Sequence, residues 1–187
     1  MRACGPFHNR LVAAGLAVIL SAGPALAEED RLDRLFDQLG TAQDDRAAQR
    51  IEGDIWREWS RSGSPALDLL LERGREALAQ GDTGLAIEHL TALTDHAPDF
   101  AEGWNARAMA YVQAAEYGPA IQDIRRTLAL NPRHFGAMAG FATILEELGR
   151  PAQALEVYRA ALAIYPRMQS VLDAVERLET AEAGQDL

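Results

Sequence analysis

Residues 104 to 132 read WNARAMAYVQAAEYGPAIQDIRRTLALNP, and this stretch decides the fold. An apolar helical pattern opens at Trp104, and the breakers Gly118-Pro119 end one helix and start the next. Small residues stand on both sides of the break, at Ala108 and Ala120, where two antiparallel helices must approach closely. A second apolar pattern then runs to Leu128 and stops at Pro132. The stretch is a helical hairpin.

The same marks recur in both directions at a fixed distance. Pro98, Pro132 and Pro166 are 34 residues apart, and a period of this size indicates an array of repeated supersecondary units. Placing each proline at position 32 gives units at residues 67–100, 101–134 and 135–168. Position 8 is then Gly74, Ala108 and Ala142, and position 20 is Ala86, Ala120 and Ala154. Gly81-Asp82 and Gly149-Arg150-Pro151 break the flanking units as Gly118-Pro119 breaks the middle one.

These residues resemble the tetratricopeptide repeat family, whose consensus places Trp, Gly or Ala, Tyr, Ala and Pro where the middle unit has Trp104, Ala108, Tyr111, Ala120 and Pro132, with an aromatic and an Ala between the last two. The resemblance covers residues 67 to 168. It implies an all-α solenoid of helical hairpins wound into a short right-handed superhelix. Departures lie at position 24 (Leu90, Ile124, Tyr158) and position 27 (Leu93, Thr127, Ala161), where the second helices carry bulkier neighbours than the consensus. Extending the frame backwards gives a degenerate hairpin over residues 28–66, with Phe36, Leu39 and Gly40 at positions 4, 7 and 8 and Trp56 and Trp59 at positions 24 and 27. Glu52 replaces the small residue at position 20, so these two helices are expected to separate or shift, and Trp56 and Trp59 are core or exposed accordingly. Ser64-Pro65 reads as an N-cap and first helical residue. At the other end, Val171, Leu172, Val175 and Leu178 predict a cap helix over 169–182, followed by a frayed tail at 183–187.

The N-terminus reads as a secretory leader. Arg2 and Arg10 precede an apolar run from Leu11 to Leu20, shorter than the roughly 20 residues that span a bilayer, and Ala25-Leu26-Ala27 fits a cleavage site after Ala27. The expected location is therefore exported and periplasmic, with no membrane insertion after cleavage. The one cysteine, Cys4, lies ahead of the apolar run, so the mature chain has no thiol for a disulfide or a thiolate metal site. Without residues 1 to 27, 16 basic residues stand against 28 acidic ones, a formal −12, and every basic residue is Arg. Such a balance argues against nucleic acid, which needs a clustered cationic face, and against anionic lipid.

What the resemblance implies for function is a concave groove lined by the first helix of each hairpin, with positions 2, 5, 9 and 12 touching a ligand. Those positions hold Asp68, Leu71, Arg75 and Leu78, then Glu102, Asn105, Met109 and Val112, then Gly136, Ala139, Thr143 and Glu146. Leu71, Arg75, Leu78, Asn105, Met109 and Val112 form the expected partner-binding set, an apolar strip on which Arg75 and Asn105 pin a carbonyl or carboxylate. The alternative buries some of these apolar residues under neighbouring repeats or the cap helix. Family members that grip a chaperone C-terminus use Lys, Asn and further basic residues where this chain has Leu71, Arg75, Gly136 and Gly140, so that clamp does not carry over.

Other polar residues have structural readings. Arg107 at position 7 and Asp123 at position 23 are expected to form an ion pair, as in many repeats of the family, because a partly buried guanidinium needs a fixed partner. Arg73 has His89 opposite and needs another carboxylate. His89, His96 and His134 read as solvated or capping residues, since two histidines on one helix bind metal best at i, i+4 spacing. No acyl-transfer elbow, phosphate loop, cysteine metal motif or dinucleotide fingerprint occurs. The expectation is a non-catalytic scaffold or adaptor that binds a protein or peptide partner and needs no cofactor or metal. The rival readings are a self-assembling envelope protein, hence a homo-oligomer, and a small-molecule or metal binding protein.

Overall fold

The computed structural model describes residues 24 to 185, with side chains from Asp30 to Ala183. Its helices are α1 (Pro24–Gly40), α2 (Asp45–Trp59), α3 (Pro65–Ala79), α4 (Thr83–His96), α5 (Ala101–Gln113), α6 (Tyr117–Leu130), α7 (Phe135–Glu147), α8 (Pro151–Ile164) and α9 (Gln169–Gln185). There is no strand among the described residues, and none of the described helices is long and apolar enough to cross a membrane. Residues 1 to 23 of the expected leader lie outside the described residues, and its last four residues begin α1. The expected tail is helical as far as Gln185.

The three units repeat closely. Their second helices, α4, α6 and α8, occupy positions 17 to 30 of the frame, 14 residues each. Each first helix ends in the same way, with the N–H of position 16 bonded to the carbonyl of position 11: Asp82 to Ala77 at 2.9 Å, Glu116 to Tyr111 at 2.8 Å and Arg150 to Leu145 at 2.8 Å. This closure puts position 15 in the left-handed region. Glycine fills it in the outer units, at φ 81° for Gly81 and 68° for Gly149, while the middle unit uses Ala115 at φ 57°. The break in the middle unit is therefore at Ala114–Glu116. Gly118 and Pro119, read from sequence as the break, lie inside the first turn of α6, where a missing proline N–H costs nothing.

Packing within a unit follows the small residues. At Gly74 an added Cβ would lie 2.5 Å from Leu90 Cγ, so α3 and α4 touch where position 8 meets position 24. Leu90 and Leu93 are fully buried with Leu71, Ala86 and Ala106, and each such leucine contributes about 1.5–3 kcal/mol by leaving water. Ala108, Ala120, Ile124 and Ile144 fill the middle of the stack, and Tyr158 with Leu155, Val171 and Leu178 joins the third unit to α9.

The N-terminal hairpin departs from this pattern. Helices α1 and α2 pair, but α2 does not stack on α3 as α4 stacks on α5. Their apolar core of Phe36, Leu39, Ala48, Ile55 and Trp59 is closed by Phe135 and Tyr165, from the far end of the array. The hairpin thus folds back over the repeats rather than extending the solenoid by one more unit.

Candidate functional site

Where the hairpin meets the first helices of the repeats, polar side chains are gathered under aromatic ones. Glu102, 2% exposed, sits in the first turn of α5. Its carboxylate accepts from Arg75 Nη2 at 2.5 Å, from Asn105 Nδ2 at 3.2 Å to each oxygen, and lies 2.9 Å from His134 Nε2. Buried carboxylates are tolerated when several donors meet them, and Glu102 has three. His134 is wholly buried and caps α7, its Nδ1 accepting from the Ala137 N–H at 3.0 Å. With Nδ1 used as an acceptor, the neutral ring carries its proton on Nε2 and donates it to Glu102.

Tryptophans cover this cluster. Trp59 stacks on the His134 ring, and Trp56 meets it edge-on at 5.4 Å. Trp56 also lies so close to Gly136 that an added Cβ there would stand 2.8 Å from its Cζ2. Glu52 joins the two ends of the contact, accepting from Trp56 Nε1 at 3.4 Å and from the Tyr165 hydroxyl at 3.1 Å. Burial, with the Glu52 carboxylate beside it, pushes the Tyr165 phenol up to about 12. At the rim Arg133 pairs with Asp33 at 2.6 Å, and Arg167 pairs with Asp45 at 2.8 Å while donating to the carbonyls of Ala42 and Gln43.

Beside the hairpin the concave face stays open. A cavity of about 580 Å³ is lined by Trp56, Arg57, Ser60, Arg61 and Arg75. A second of about 230 Å³ adjoins it through Trp56 and Arg75 and is floored by Leu78, Glu102, Asn105, Ala106 and Met109. Met109 is 42% exposed. Arg75 is held by Ser60 Oγ at 3.0 Å and by Glu102, and still shows two-fifths of its side chain to solvent. Arg57 and Arg61 are more exposed, paired with Asp54 and with the buried Glu58.

The sequence matches the tetratricopeptide repeat family over residues 71–122 and 105–168. A TPR repeat-containing protein of Rhizobium etli is 34% identical over 156 residues, covering 83% of this chain and 76% of that one. The chain belongs to the tetratricopeptide repeat (TPR) family. Small glutamine-rich TPR-containing protein 2 of Saccharomyces cerevisiae is 30% identical over 119 residues, 63% of this chain and 34% of that protein, so the chain spans about a third of that relative's length. Solved structures of other proteins share the fold. The first TPR of Spaghetti (RPAP3), bound to an HSP90 peptide, matches with a TM-score of 0.60 at 23% identity over 63% of this chain and 95% of that one. The MamA protein matches with a TM-score of 0.58 at 19% identity over 85% of each chain.

Within this TPR protein the expected groove residues divide. Leu78, Met109 and Val112 keep exposed surface and Arg75 borders the opening, but Leu71 is 2% exposed and packs in the core shared by α3, α4 and α5. Asn105, 5% exposed, spends its amide on Glu102 and is not free to pin a partner. At position 7, Arg107 donates from Nε and Nη2 to the two oxygens of Asp123 at 2.7 and 2.9 Å, and from Nη1 to the hydroxyls of Thr91 and Thr94. That hydrogen bonding and the nearby negative charge hold the Arg107 guanidinium above its ordinary value. Arg73, by contrast, is exposed and joins no ion pair among the described residues, because a solvated guanidinium needs none. At the cap, Arg177 and the Tyr158 hydroxyl donate to Glu146 and hold its carboxyl below the usual range.

Sequence reasoning missed the cluster at Glu102 and His134. His134 was expected to be solvated or capping; it caps, and it is fully buried. Its position one residue before a helical apolar run is an N-cap signal, but nothing local announces that Trp59 lies on top of it.

Proposed function

We propose that this TPR protein is a non-catalytic protein-interaction module that grips a segment of a protein partner on the open part of its concave face, between α2, α3 and α5. What carries this reading is the pair of adjoining cavities that share Trp56 and Arg75. One side offers guanidinium groups from Arg57, Arg61 and Arg75, and the other an apolar floor of Leu78 and Met109. A segment with a carboxylate beside apolar side chains matches both parts, since arginine binds carboxylates through paired N–H donors. The peptide-bound Spaghetti domain supports a peptide as the ligand class. The residues of the chaperone-tail clamp are absent, which argues against that particular peptide.

A groove held by α-helical hairpins loses little entropy on binding, which favours recognition without large rearrangement of the repeats. The leader-like N-terminus supports action in the periplasm, and the test is direct: a periplasmic fraction lacking a chain that starts at Glu28 would remove the localisation.

The deciding experiment captures partners from envelope extract with the wild type, with Met109→Glu and with Arg57→Glu, both exposed positions whose replacement leaves the core intact. A partner held by wild type and lost from both variants at equal helicity supports the groove. A partner retained by both places binding on another face, and recovery of the protein alone moves self-assembly ahead. Arg75 and Asn105 are poor test positions, because changing either strips a donor from the buried Glu102.

A further inference from the structure

The segment that lies nearest to the expected ligand positions is part of this chain. Trp56 contacts Gly136, position 2 of the third unit, and borders Glu102, Asn105 and Met109, positions 2, 5 and 9 of the second; Ser60 bonds Arg75, position 9 of the first. A helix of the protein therefore rests on the surface that a bound segment would use.

Its attachment combines a buried aromatic contact, Trp56 and Trp59 against His134 and Phe135, with a short linker and an exposed polar rim. Five residues, Ser60 to Ser64, join it to the first unit, and Gly63 among them is at φ 80°. It shares no stacked interface with α3. The rim contacts Asp33–Arg133 and Asp45–Arg167 are solvent-exposed pairs of low individual strength. The repeats pack on one another through α4 with α5 and α6 with α7, independently of the hairpin. What the hairpin covers is the polar set Glu102, Asn105 and His134 and the ring of Phe135, which its departure would uncover.

We propose that the α1–α2 hairpin is a displaceable occupant of the groove, and that the surface beneath it is a docking site for a helix bearing two large aromatic residues one turn apart and a carboxylate one turn before them. The chemistry of the occupant follows from what α2 presents. Trp56 and Trp59 at i and i+3 fill the space over Gly136 and His134, Glu52 one turn earlier receives the Tyr165 hydroxyl, and Asp45 at the start of the helix meets Arg167, while Asp33 of α1 adds the contact with Arg133. A partner that reproduces this pattern gains the same contacts, and binding at the open cavities is then extended under the lifted hairpin. The inference rests on the concave face being the binding face, but its test needs no partner.

The test uses the full chain and its Asp33→Arg/Asp45→Arg variant, which turns both rim attractions into repulsions at exposed positions. Native-state hydrogen exchange is followed in α2 and in α6, and a labelled peptide of residues 45–61 serves as the probe. Expected are exchange in α2 that speeds by about tenfold or more in the variant while α6 is unchanged, and binding of the peptide to the variant but much more weakly to wild type. The same peptide with Trp56→Ala and Trp59→Ala should not bind. Equal acceleration of α2 and α6 would mean that hairpin and repeats open as one unit, and would overturn the proposal. So would a peptide that binds both chains alike, or binds without its tryptophans. Should Met109→Glu leave partner capture intact while α2 still opens separately, the groove reading fails and the mobile hairpin stands.

Discussion

The indole of Trp59 lies flat on the imidazole of His134, 4.2 Å between centroids and 17° between planes, with the two nitrogens of that imidazole already used by Ala137 and Glu102. One side chain thus caps a helix, satisfies a buried carboxylate and forms the floor on which the N-terminal hairpin rests. Loss of His134 reaches all three.

His134→Ala should cost about 0.5–2 kcal/mol for the lost cap and a further about 1–3 kcal/mol for the donor taken from Glu102. His134→Asn restores the cap but not the reach to Glu102 and should fall between. Urea denaturation of the three proteins checks the order; an alanine variant within about 0.5 kcal/mol of wild type would show the contact to be worth little.

Asp123→Ala leaves the Arg107 guanidinium, with only 13% of its side chain exposed, without its bidentate partner. Breaking a buried pair in this way costs about 3–5 kcal/mol. Asp99→Ala removes the exposed partner of Arg126 and should cost less than about 1 kcal/mol. Comparable losses at the two sites would contradict the assignment of Arg107–Asp123 as a packing element.

At Gly74 alanine is the better helix former by about 1 kcal/mol, and alanine stands at the equivalent positions 108 and 142. Gly74→Ala should nevertheless destabilise, by about 1–3 kcal/mol, because its Cβ would overlap Leu90. Combining it with Leu90→Val should recover part of the loss. A melting temperature that rises in the single variant would mean that Leu90 moves aside freely.

Ala115 is the non-glycine residue held at positive φ among those described. Ala115→Gly should stabilise the protein by up to about 1 kcal/mol by removing the Cβ penalty of the left-handed region. Its partner experiment, Gly81→Ala, should cost a similar amount, and calorimetry distinguishes the signs.

Burial, and then the Glu52 carboxylate, push the Tyr165 phenol from its ordinary value of 10.0 up to about 12. Because the folded pKa is raised, the contribution of this group to stability is complete below pH 10 and falls away as the pH rises towards about 12. Since Tyr165 lies under the hairpin, the Trp56 and Trp59 fluorescence should shift to the red across that window. Tyr165→Phe should lose this alkaline limb and Tyr158→Phe, at the cap, should keep it; the reverse pattern would place the titration elsewhere.

How far the site was legible in the sequence can be judged from single residues. Met109 and Leu78 fall on the open face as their repeat positions imply, and Arg107 meets Asp123 because positions 7 and 23 face each other across the middle hairpin. Leu71 shares the periodicity of Leu78, and periodicity alone does not separate a residue on the groove from one turned into the core shared by α3, α4 and α5. Asn105 shows the same limit for polar residues: its burial depends on Glu102, Arg75 and the hairpin overhead, none of which its own position reveals.

The sequence by itself determined the all-α repeat array, since each hairpin is held by its own small residues, turns and nearest neighbours, interactions that recur every 34 residues and leave a periodic trace. Only the tertiary structure decided where α1 and α2 go. Glu52 breaks the repeat pattern without naming a new partner, and the contacts that replace it, Trp59 with His134, Glu52 with Tyr165 and Asp33 with Arg133, join residues far apart in the chain. Those surfaces meet because the stacked repeats bring the N-terminal ends of α5 and α7 beneath the hairpin, and no local pattern of residues encodes that approach.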